Sequence, residues 1–485
     1  MRPNIVMAGV ALCLTTSCGR ATEQMDARVL SLYVRSWYGA IRVERMSPPV
    51  ASRIAAYAAS ALYAGLSVVR SDLPPLAGVL NGIPALPRAE RGAAVDETIT
   101  AVEAERVVLD SLLLEALPTT HSALARLADS LVAARAPAGV TGEVRDRSVA
   151  LGRRIGLLLV AWAHTDGFDG TRGRAYRSTA NGATAGPGIW INDAPGNTYA
   201  TQSLSGASEF VALDNPANLL RPGTASDRAL ILSRPKRAGL RTLPASNISG
   251  ATEPYWHEVR PFVLTRWDAC PVPDPPPYST ERASDLFVNA NTVHAARAAL
   301  TAEQRTIALY WADNAGESGT PVGHWLSIAA QLIGERRMES GEAARMLLAT
   351  AVSQADAFIA AWGYKYRFAL LRPRTYIRRV IDPTWEPLIP TPPFPEHPAG
   401  HSTQSAAAAA TLAAFVGDAP FVDSTSISLG HAARRFPSIR SAADEAGLSR
   451  IYGGIHFPSG DLAGRALGAC IGAAVIDRFL APPPR

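Results

Sequence analysis

The sequence contains very little lysine. Among its 47 basic residues only Lys236 and Lys365 are lysines, and all the others are arginines. A lysine that survives such a bias suggests a position that needs a compact, rotatable ammonium group rather than a planar guanidinium. The 42 acidic residues are interspersed with the basic ones and no Lys/Arg tract occurs, so the formal net charge of +5 argues for a mixed, solvated surface and against a nucleic-acid partner.

Cysteine is also scarce, with four residues in 485. No Cys/His spacing is typical of a zinc site. Cys13 and Cys18 lie in the N-terminal segment discussed below. Cys270 and Cys470 would be able to pair in an oxidising compartment, but one possible pair is not a disulfide framework, and the sequence leaves their pairing open.

Long apolar runs are missing as well. Arg2 and the short apolar stretch 5–14 precede small residues and Cys18, which predicts an export signal over residues 1–24. Cys18-Gly19 resembles a bacterial lipoprotein cleavage site, although Thr15 stands where a large aliphatic residue is usual. Beyond it no uninterrupted apolar stretch reaches about 18 residues. We therefore expect an exported protein, periplasmic or otherwise secreted, that meets a membrane only through a possible lipid anchor.

The abundance of alanine and the 47% hydrophobic content predict an all-α protein. Residues 25–165 read as an N-terminal helical bundle, 166–285 as an irregular Gly/Pro-rich connection with room for short strands, and 286–482 as a C-terminal helical domain. The predicted helices are 50–69, 95–117, 120–134, 145–163, 301–314, 325–336, 340–362, 401–416 and 461–479.

Three short segments of the C-terminal domain carry groups suited to binding an anion. Segments 365–373, 394–402 and 449–461 supply six such positions, Lys365, Arg372, Gly400, His401, Arg450 and His456. Three converging cations would hold a multiply charged oxyanion, and a glycine N–H at a helix start would add positive potential. Each histidine would serve as base, acid or ligand. Taken singly, each segment is explained as well by ordinary structure; together they favour an oxyanion site.

These three segments resemble the signature of the superfamily that joins vanadium-dependent haloperoxidases, type 2 phosphatidic acid phosphatases and bacterial acid phosphatases. The resemblance covers about residues 300–480. It implies two helical-bundle halves and bound vanadate, with phosphate as a competing occupant. The implied oxyanion ligands are Lys365, Arg372, Arg450 and the N–H of Gly400. His456 would be the axial ligand to vanadium, His401 the acid–base residue, and Lys365 would also polarise bound peroxide.

Other positions match the haloperoxidase branch. The aromatic residues Trp362 and Phe394 occupy places that frame a halide pocket in fungal-type relatives, although ordinary core packing explains them equally well. Asp313 resembles an acidic residue that forms a salt bridge with the final arginine of the signature. His324 and His431 have no role in the resemblance and are expected to be structural.

The sequence also departs from the family pattern. Ala399 replaces a serine whose hydroxyl donates to the oxyanion, and the loss of that donor is worth about 1 kcal/mol or more. Asp461, which closes the third segment, lies one residue further from His456 than in several relatives. These changes leave the rate and the preferred halide open, including whether Ala399 lowers or abolishes activity.

The resemblance implies a vanadium-dependent haloperoxidase that oxidises a halide, or a small organic substrate, with hydrogen peroxide. Two alternatives stay open: a soluble acid phosphatase that forms a phosphohistidine at His456, and a non-catalytic exported lipoprotein that only binds an oxyanion. A weaker echo at 256–262 suggests that Arg260 and nearby prolines wall the pocket. The sequence does not determine the oligomeric state.

Overall fold

The computed structural model describes residues 24–90, 92–172, 174, 176, 186–193 and 251–480. These residues contain thirteen α-helices and one short antiparallel hairpin, which confirms the all-α class. The predicted signal segment apart from its last residue, Lys236 and most of the irregular connection lie outside the described residues. The domain boundaries remain a prediction.

Five helices form the N-terminal part, and their bounds are α1 Arg28–Val43, α2 Pro48–Ser67, α3 Glu97–Leu112, α4 Pro118–Ala133 and α5 Gly142–His164. Local sequence explains where several begin. The Ser47 side chain accepts a hydrogen bond from the N–H of Val50, and prolines occupy the first turn of α2. The predicted helices of this part agree with α2 to α5 to within a few residues.

Eight helices and the hairpin form the C-terminal part. Their bounds are α6 Asp285–Ala298, α7 Ala302–Tyr310, α8 Thr320–Arg336, α9 Ser340–Phe368, α10 Pro373–Val380, α11 Gly400–Val416, β1 Phe421–Asp423, β2 Arg434–Phe436, α12 Ile439–Tyr452 and α13 Pro458–Leu480. The sequence analysis did not delimit α6, α10 or α12. It also missed the hairpin, because three-residue strands carry too little periodicity to be recognised.

Helix α9 lies at the centre of the molecule and positions the candidate site. It packs against α2, α11 and α13, so one apolar cluster includes residues of both halves. Two glycines of α13 let it approach α11 closely: a Cβ at Gly464 would lie 2.6 Å from the carbonyl oxygen of Ala399, and one at Gly468 2.1 Å from that of Thr403. This close approach fixes the start of α11 against α13.

Within the part of the chain that the structure describes, two helices, α9 and α13, are long and apolar enough to cross a membrane by length and composition alone. The apolar window of α9 is entirely buried inside the protein, and half of that of α13 is buried. Core helices of a folded domain have the same properties.

Several contacts tie the described part of the irregular connection to the helices, and two of them involve α9 and α13. The carboxylate of Asp356 in α9 accepts hydrogen bonds of 2.6–2.9 Å from three successive N–H groups, those of Phe262, Val263 and Leu264. Cys270 forms a disulfide with Cys470 of α13, which answers the question of pairing. Closing a loop of this size stabilises the fold by an amount on the order of 5 kcal/mol in the chain-entropy description.

Candidate oxyanion site

The three predicted segments meet around one cavity of about 50 Å³. Of the residues singled out in the sequence, those that line it are Asp313, Trp362, Phe394, Gly400, His401, Arg450 and His456. Lys365 and Arg372 lie directly behind this wall. The structure thus brings Arg450, His401 and His456 to the cavity itself, and places Lys365 and Arg372 next to residues that line it.

His456 lies in the turn between α12 and α13, where Gly454 adopts a left-handed conformation with φ of +79°. Its Nδ1 is 2.8 Å from Oε1 of Glu396, which also accepts the N–H of Phe457 at 2.9 Å. A carboxylate oxygen beside Nδ1 fixes the tautomer in which Nδ1 carries the proton. Nε2 is then left with its lone pair, as a metal ligand or nucleophile requires.

Arg372, just before α10, supports the same assignment. Its Nη1 donates to the carbonyl oxygen of Ile455 at 2.8 Å and lies 3.1 Å from Nε2 of His456. Because a guanidinium only donates, Nε2 must be the acceptor. Burial, and then the positive charges of Arg372, Lys365 and Arg450, hold the pKa of His456 well below its usual value, so the ring is neutral.

Lys365 is fully buried near the end of α9. Its Nζ donates to the carbonyl oxygens of Pro395, Glu396 and Pro398 at 3.1, 2.9 and 2.5 Å. These three bonds use all its N–H donors, so direct contact with a bound group requires one of them to be shared or exchanged. Burial and the charge of Arg372 lower its pKa well below the usual value, while Glu396 acts in the opposite direction.

Arg450 comes from the last turn of α12. Its Nε donates to Oγ of Ser449 at 2.9 Å, and its Nη2 donates to the carbonyl oxygen of Trp311. Burial lowers the pKa of this guanidinium to about 10; the negative charge of Asp313 opposes the shift and Arg372 adds to it. Burial thus makes the charged form of Arg450 costly, and a bound anion would offset that cost.

His401 is the second residue of α11 and remains partly exposed. Its Nε2 is buried at the cavity and has no hydrogen-bond partner among the described residues. Burial, followed by the positive charges of Arg450 and His324, lowers the pKa of His401 well below its usual value. A neutral imidazole with an unused nitrogen is able to take a proton from a bound molecule.

Gly400 opens α11 and Ala399 is its N-cap, with no side chain to bond the helix start. A Cβ on Gly400 would lie 3.3 Å from Cζ3 of Trp362, so glycine keeps the helix N-terminus accessible from the cavity. The N-terminal N–H groups of the helix thereby remain available to an anion.

The two aromatic residues are adjacent. The ring centroids of Trp362 and Phe394 are 4.8 Å apart, and Nζ of Lys365 lies 5.7 and 5.2 Å from them. Trp362 is fixed by a 3.0 Å hydrogen bond from Nε1 to the carbonyl oxygen of Thr252. The rings therefore form part of the core and also one wall of the cavity.

Three expectations need correction. The ion pair of Asp313 is with His324, at 3.0 Å, rather than with Arg450, on which it acts only through its charge. Arg260 does not wall the cavity, because its guanidinium bonds instead to Thr165 and to the carbonyl oxygen of Trp162. The prolines that line the cavity come from elsewhere in the chain: Pro48, Pro321, Pro390, Pro392 and Pro393.

Asp461 does not contact His456. It accepts a 2.6 Å hydrogen bond from Oγ of Ser402 and pairs with Arg465 at 2.9 Å. The carboxylate beside His456 belongs to Glu396, which the sequence analysis did not single out. Glu396 could have been noticed in the sequence as an acidic residue within a proline-rich loop. Because 60 residues separate it from His456, no local pattern links the two. His324 was likewise assigned no role, although two carboxylates flank it.

The donor set fits vanadate better than a bare metal ion. Among the described residues no group of three or more His, Cys, Asp or Glu side chains forms a cation site. The cavity offers two unprotonated imidazole nitrogens, Nε2 of His456, which accepts from Arg372, and Nε2 of His401, and both lie near buried positive charge. Such a site suits a metal that brings its own negatively charged oxygens.

The fold and the site thus define an all-α protein with a buried cavity at which cationic and imidazole side chains gather. Residues 345–482 match the family model described as the VCPO second helical-bundle domain. The first bacterial vanadium-dependent iodoperoxidase is similar in structure, with a TM-score of 0.76, 27% identity, and 94% of this chain and 98% of that chain covered.

The holo and apo forms of a bacterial vanadium-dependent chloroperoxidase share the fold, with TM-scores of 0.60 and 0.62 and 16% identity. The matches cover 90% of this chain and 92% and 94% of theirs. A comparison with curated protein sequences found no match. The chain is thus similar in fold to vanadium-dependent haloperoxidases, and residues 345–482 match the model of their second helical-bundle domain.

Proposed function

We propose that this protein is a vanadium-dependent haloperoxidase that oxidises a halide with hydrogen peroxide. The observation that carries the proposal is the geometry of His456. Its Nδ1–H is held by Glu396, and its Nε2 lone pair lies at a cavity surrounded by Lys365, Arg372 and Arg450. The structural similarity to an iodoperoxidase supports the same conclusion.

The charges of the site favour a multiply charged anion. The hydrogen bonds of Lys365 and Arg450 go to main-chain carbonyls and to a serine hydroxyl rather than to carboxylates. Buried cations without matching negative charge are costly. An oxyanion would neutralise these charges; burial first, and then the neighbouring charge of Arg372, lower the pKa values of both groups.

When bound, vanadate supplies a Lewis-acidic centre that activates peroxide without changing its oxidation state. His456 would hold it through Nε2, and Arg372, Arg450 and the N–H of Gly400 would neutralise its oxygens. Nε2 of His401 would take the proton from incoming peroxide and return it to the departing oxygen as water. Lys365 adds positive charge behind the loop and so favours developing negative charge on oxygen.

Iodide is the halide that we expect to be used best. Ala399 provides no hydroxyl to donate to a bound oxyanion, so a vanadate held here would be a weaker activator of peroxide than one in a site with serine. The halide that is oxidised most easily is then the least affected. The adjacent rings of Trp362 and Phe394 supply an apolar, polarisable wall for a large anion.

The test is an assay of the purified protein with and without orthovanadate. Peroxide-dependent oxidation of iodide, bromide and chloride is measured beside hydrolysis of an aryl phosphate. We expect iodide oxidation that requires vanadate and is lost in His456→Ala. His164→Ala is the matched control, since this exposed histidine lies outside the cavity and its loss should leave the rate unchanged.

Other outcomes would overturn the proposal. Phosphate-ester hydrolysis inhibited by vanadate, without halide oxidation, would favour the acid phosphatase with His456 as nucleophile. Neither activity, with vanadate still raising the melting temperature, would favour a non-catalytic oxyanion-binding protein. Full halide oxidation by His456→Ala would exclude this histidine as the ligand.

We also propose that the protein is exported. Arg2, the apolar stretch 5–14 and the small residues before Cys18 support a signal segment. The disulfide between Cys270 and Cys470 supports an oxidising compartment. Mass spectrometry of protein from a bacterial host tests this, because a diacylglyceryl group on Cys18 would identify a lipoprotein. An intact N-terminus on protein retained inside the cell would contradict export.

A further inference from the structure

A histidine that the proposed chemistry does not use lies next to the oxyanion site. His324 of α8 is 2% exposed, and both of its ring nitrogens face carboxylates. Nδ1 is 3.0 Å from Oδ2 of Asp313, and Nε2 is 3.0 Å from Oδ2 of Asp423. A neutral imidazole donates from only one nitrogen, so two such contacts require the doubly protonated, positively charged ring.

The two carboxylates belong to different parts of the fold. Asp313 lies in the loop between α7 and α8 and lines the cavity, whereas Asp423 ends β1 and also accepts the N–H and hydroxyl of Thr425. Asp313 has a φ of +47°, which is disfavoured for a residue with a Cβ and must be held by its contacts. His324 thus anchors a strained loop to the hairpin that follows α11.

The loop matters because of Trp311, two residues before Asp313. The Trp311 ring stacks on the His324 ring, with centroids 4.6 Å apart and planes 22° from parallel. The carbonyl oxygen of Trp311 accepts a hydrogen bond from Nη2 of Arg450, and the Trp311 backbone is also bonded to His401. The peptide group of Trp311 therefore orients both the Arg450 guanidinium and the His401 ring.

We propose that His324 is a positioning residue: as a cation held between Asp313 and Asp423, it fixes the Trp311 carbonyl and thereby aims Arg450 and His401 at the cavity. It touches no reacting atom, so its effect reaches the site only through that loop. An effect of His324 on catalysis rests on the proposed function. Its effect on the positions of Arg450 and His401 does not, and the two effects are tested separately.

The first experiment uses protein labelled with ¹⁵N at histidine. Long-range proton–nitrogen spectra at about pH 8 should show both nitrogens of His324 protonated. In His324→Asn we expect the ring signals of His401 to shift, because the Trp311 carbonyl is no longer held. His431→Gln is the control: that ring lies 5.5 Å from Tyr310 in the same region but forms no ion pair with a described residue. It should leave the His401 signals in place.

The second experiment measures orthovanadate affinity by calorimetry. His324→Asn should weaken binding about tenfold or more, in line with the loss of an outer partner at a metal site, while His431→Gln should not. If His324→Asn does not fold, Asp423→Asn removes the same contact from the other side and takes its place in both experiments.

The outcomes are distinct. A neutral His324 ring at pH 8, or His401 signals unchanged in folded His324→Asn, overturns the positioning role. So does vanadate affinity within twofold of the parent protein in that variant. If the parent binds no vanadate but His401 still shifts in the variant, the positioning role stands and the proposed haloperoxidase function fails.

Discussion

The carboxylate of Glu396 should control how well the site binds its oxyanion. Replacing it by alanine leaves two buried donors without an acceptor, the Nδ1–H of His456 and the N–H of Phe457. Each unsatisfied buried donor costs about 1–3 kcal/mol. The proton of His456 is then no longer confined to Nδ1, so the tautomer with a free Nε2 lone pair loses its advantage.

The expected magnitude follows from these contacts. Outer carboxylate partners of metal-bound histidines change affinity about 10–100-fold. We expect Glu396→Ala to lie near the upper end, about 2.7 kcal/mol in binding free energy. Glu396→Gln keeps an oxygen to accept the Nδ1–H but removes the charge, so it should lie near the lower end, at about tenfold.

Calorimetric titration with orthovanadate checks this prediction, because it measures affinity without relying on turnover. Circular dichroism first establishes that each variant is folded. Glu303→Gln serves as the control, since its side chain is 65% exposed and pairs with Arg434 far from the cavity. A folded Glu396→Ala protein that binds vanadate within twofold of the parent would refute the reasoning.

Three further predictions concern the surroundings of the site. Ala399→Ser should raise the melting temperature, because a serine N-cap of α11 is worth about 1 kcal/mol. It should also tighten vanadate binding through the added hydroxyl. A melting temperature and a vanadate affinity that are both unchanged in calorimetry would contradict this prediction. Gly460→Ala would place a Cβ 2.2 Å from Oε1 of Glu396 and should weaken vanadate binding as Glu396→Ala does, whereas parental affinity would show that the carboxylate has room to move. Burial lowers the pKa of His324, but its two aspartates outweigh burial and raise that pKa to about 10. The stability that the charged ring contributes is therefore complete below its usual pKa of 6.5 and is lost as the pH rises towards 10. Urea unfolding should show the free energy of unfolding declining by up to about 1.4 kcal/mol per pH unit over that range, and His324→Asn should lack this decline.

The sequence alone predicted most of the helices and the charged and imidazole residues that lie in and around the candidate site. Alanine-rich periodic runs and the Ser47 cap with its prolines are local signals, and they predicted α2 to within two residues at each end. The order and spacing of charged residues in the segments around Lys365, Arg450 and His456 indicated the site before any contact was known. A motif of this kind survives in the sequence because each part is contiguous.

Tertiary structure alone decided which partner each of those residues takes. The sequence analysis named no carboxylate as the partner of His456, and packing places Glu396 there, because Gly460 leaves room for it and the loop before α11 folds over Lys365. Asp313 was matched to Arg450, but it binds His324, whose other side is held by a strand too short to predict. Such pairings depend on distances between elements, which no local pattern encodes.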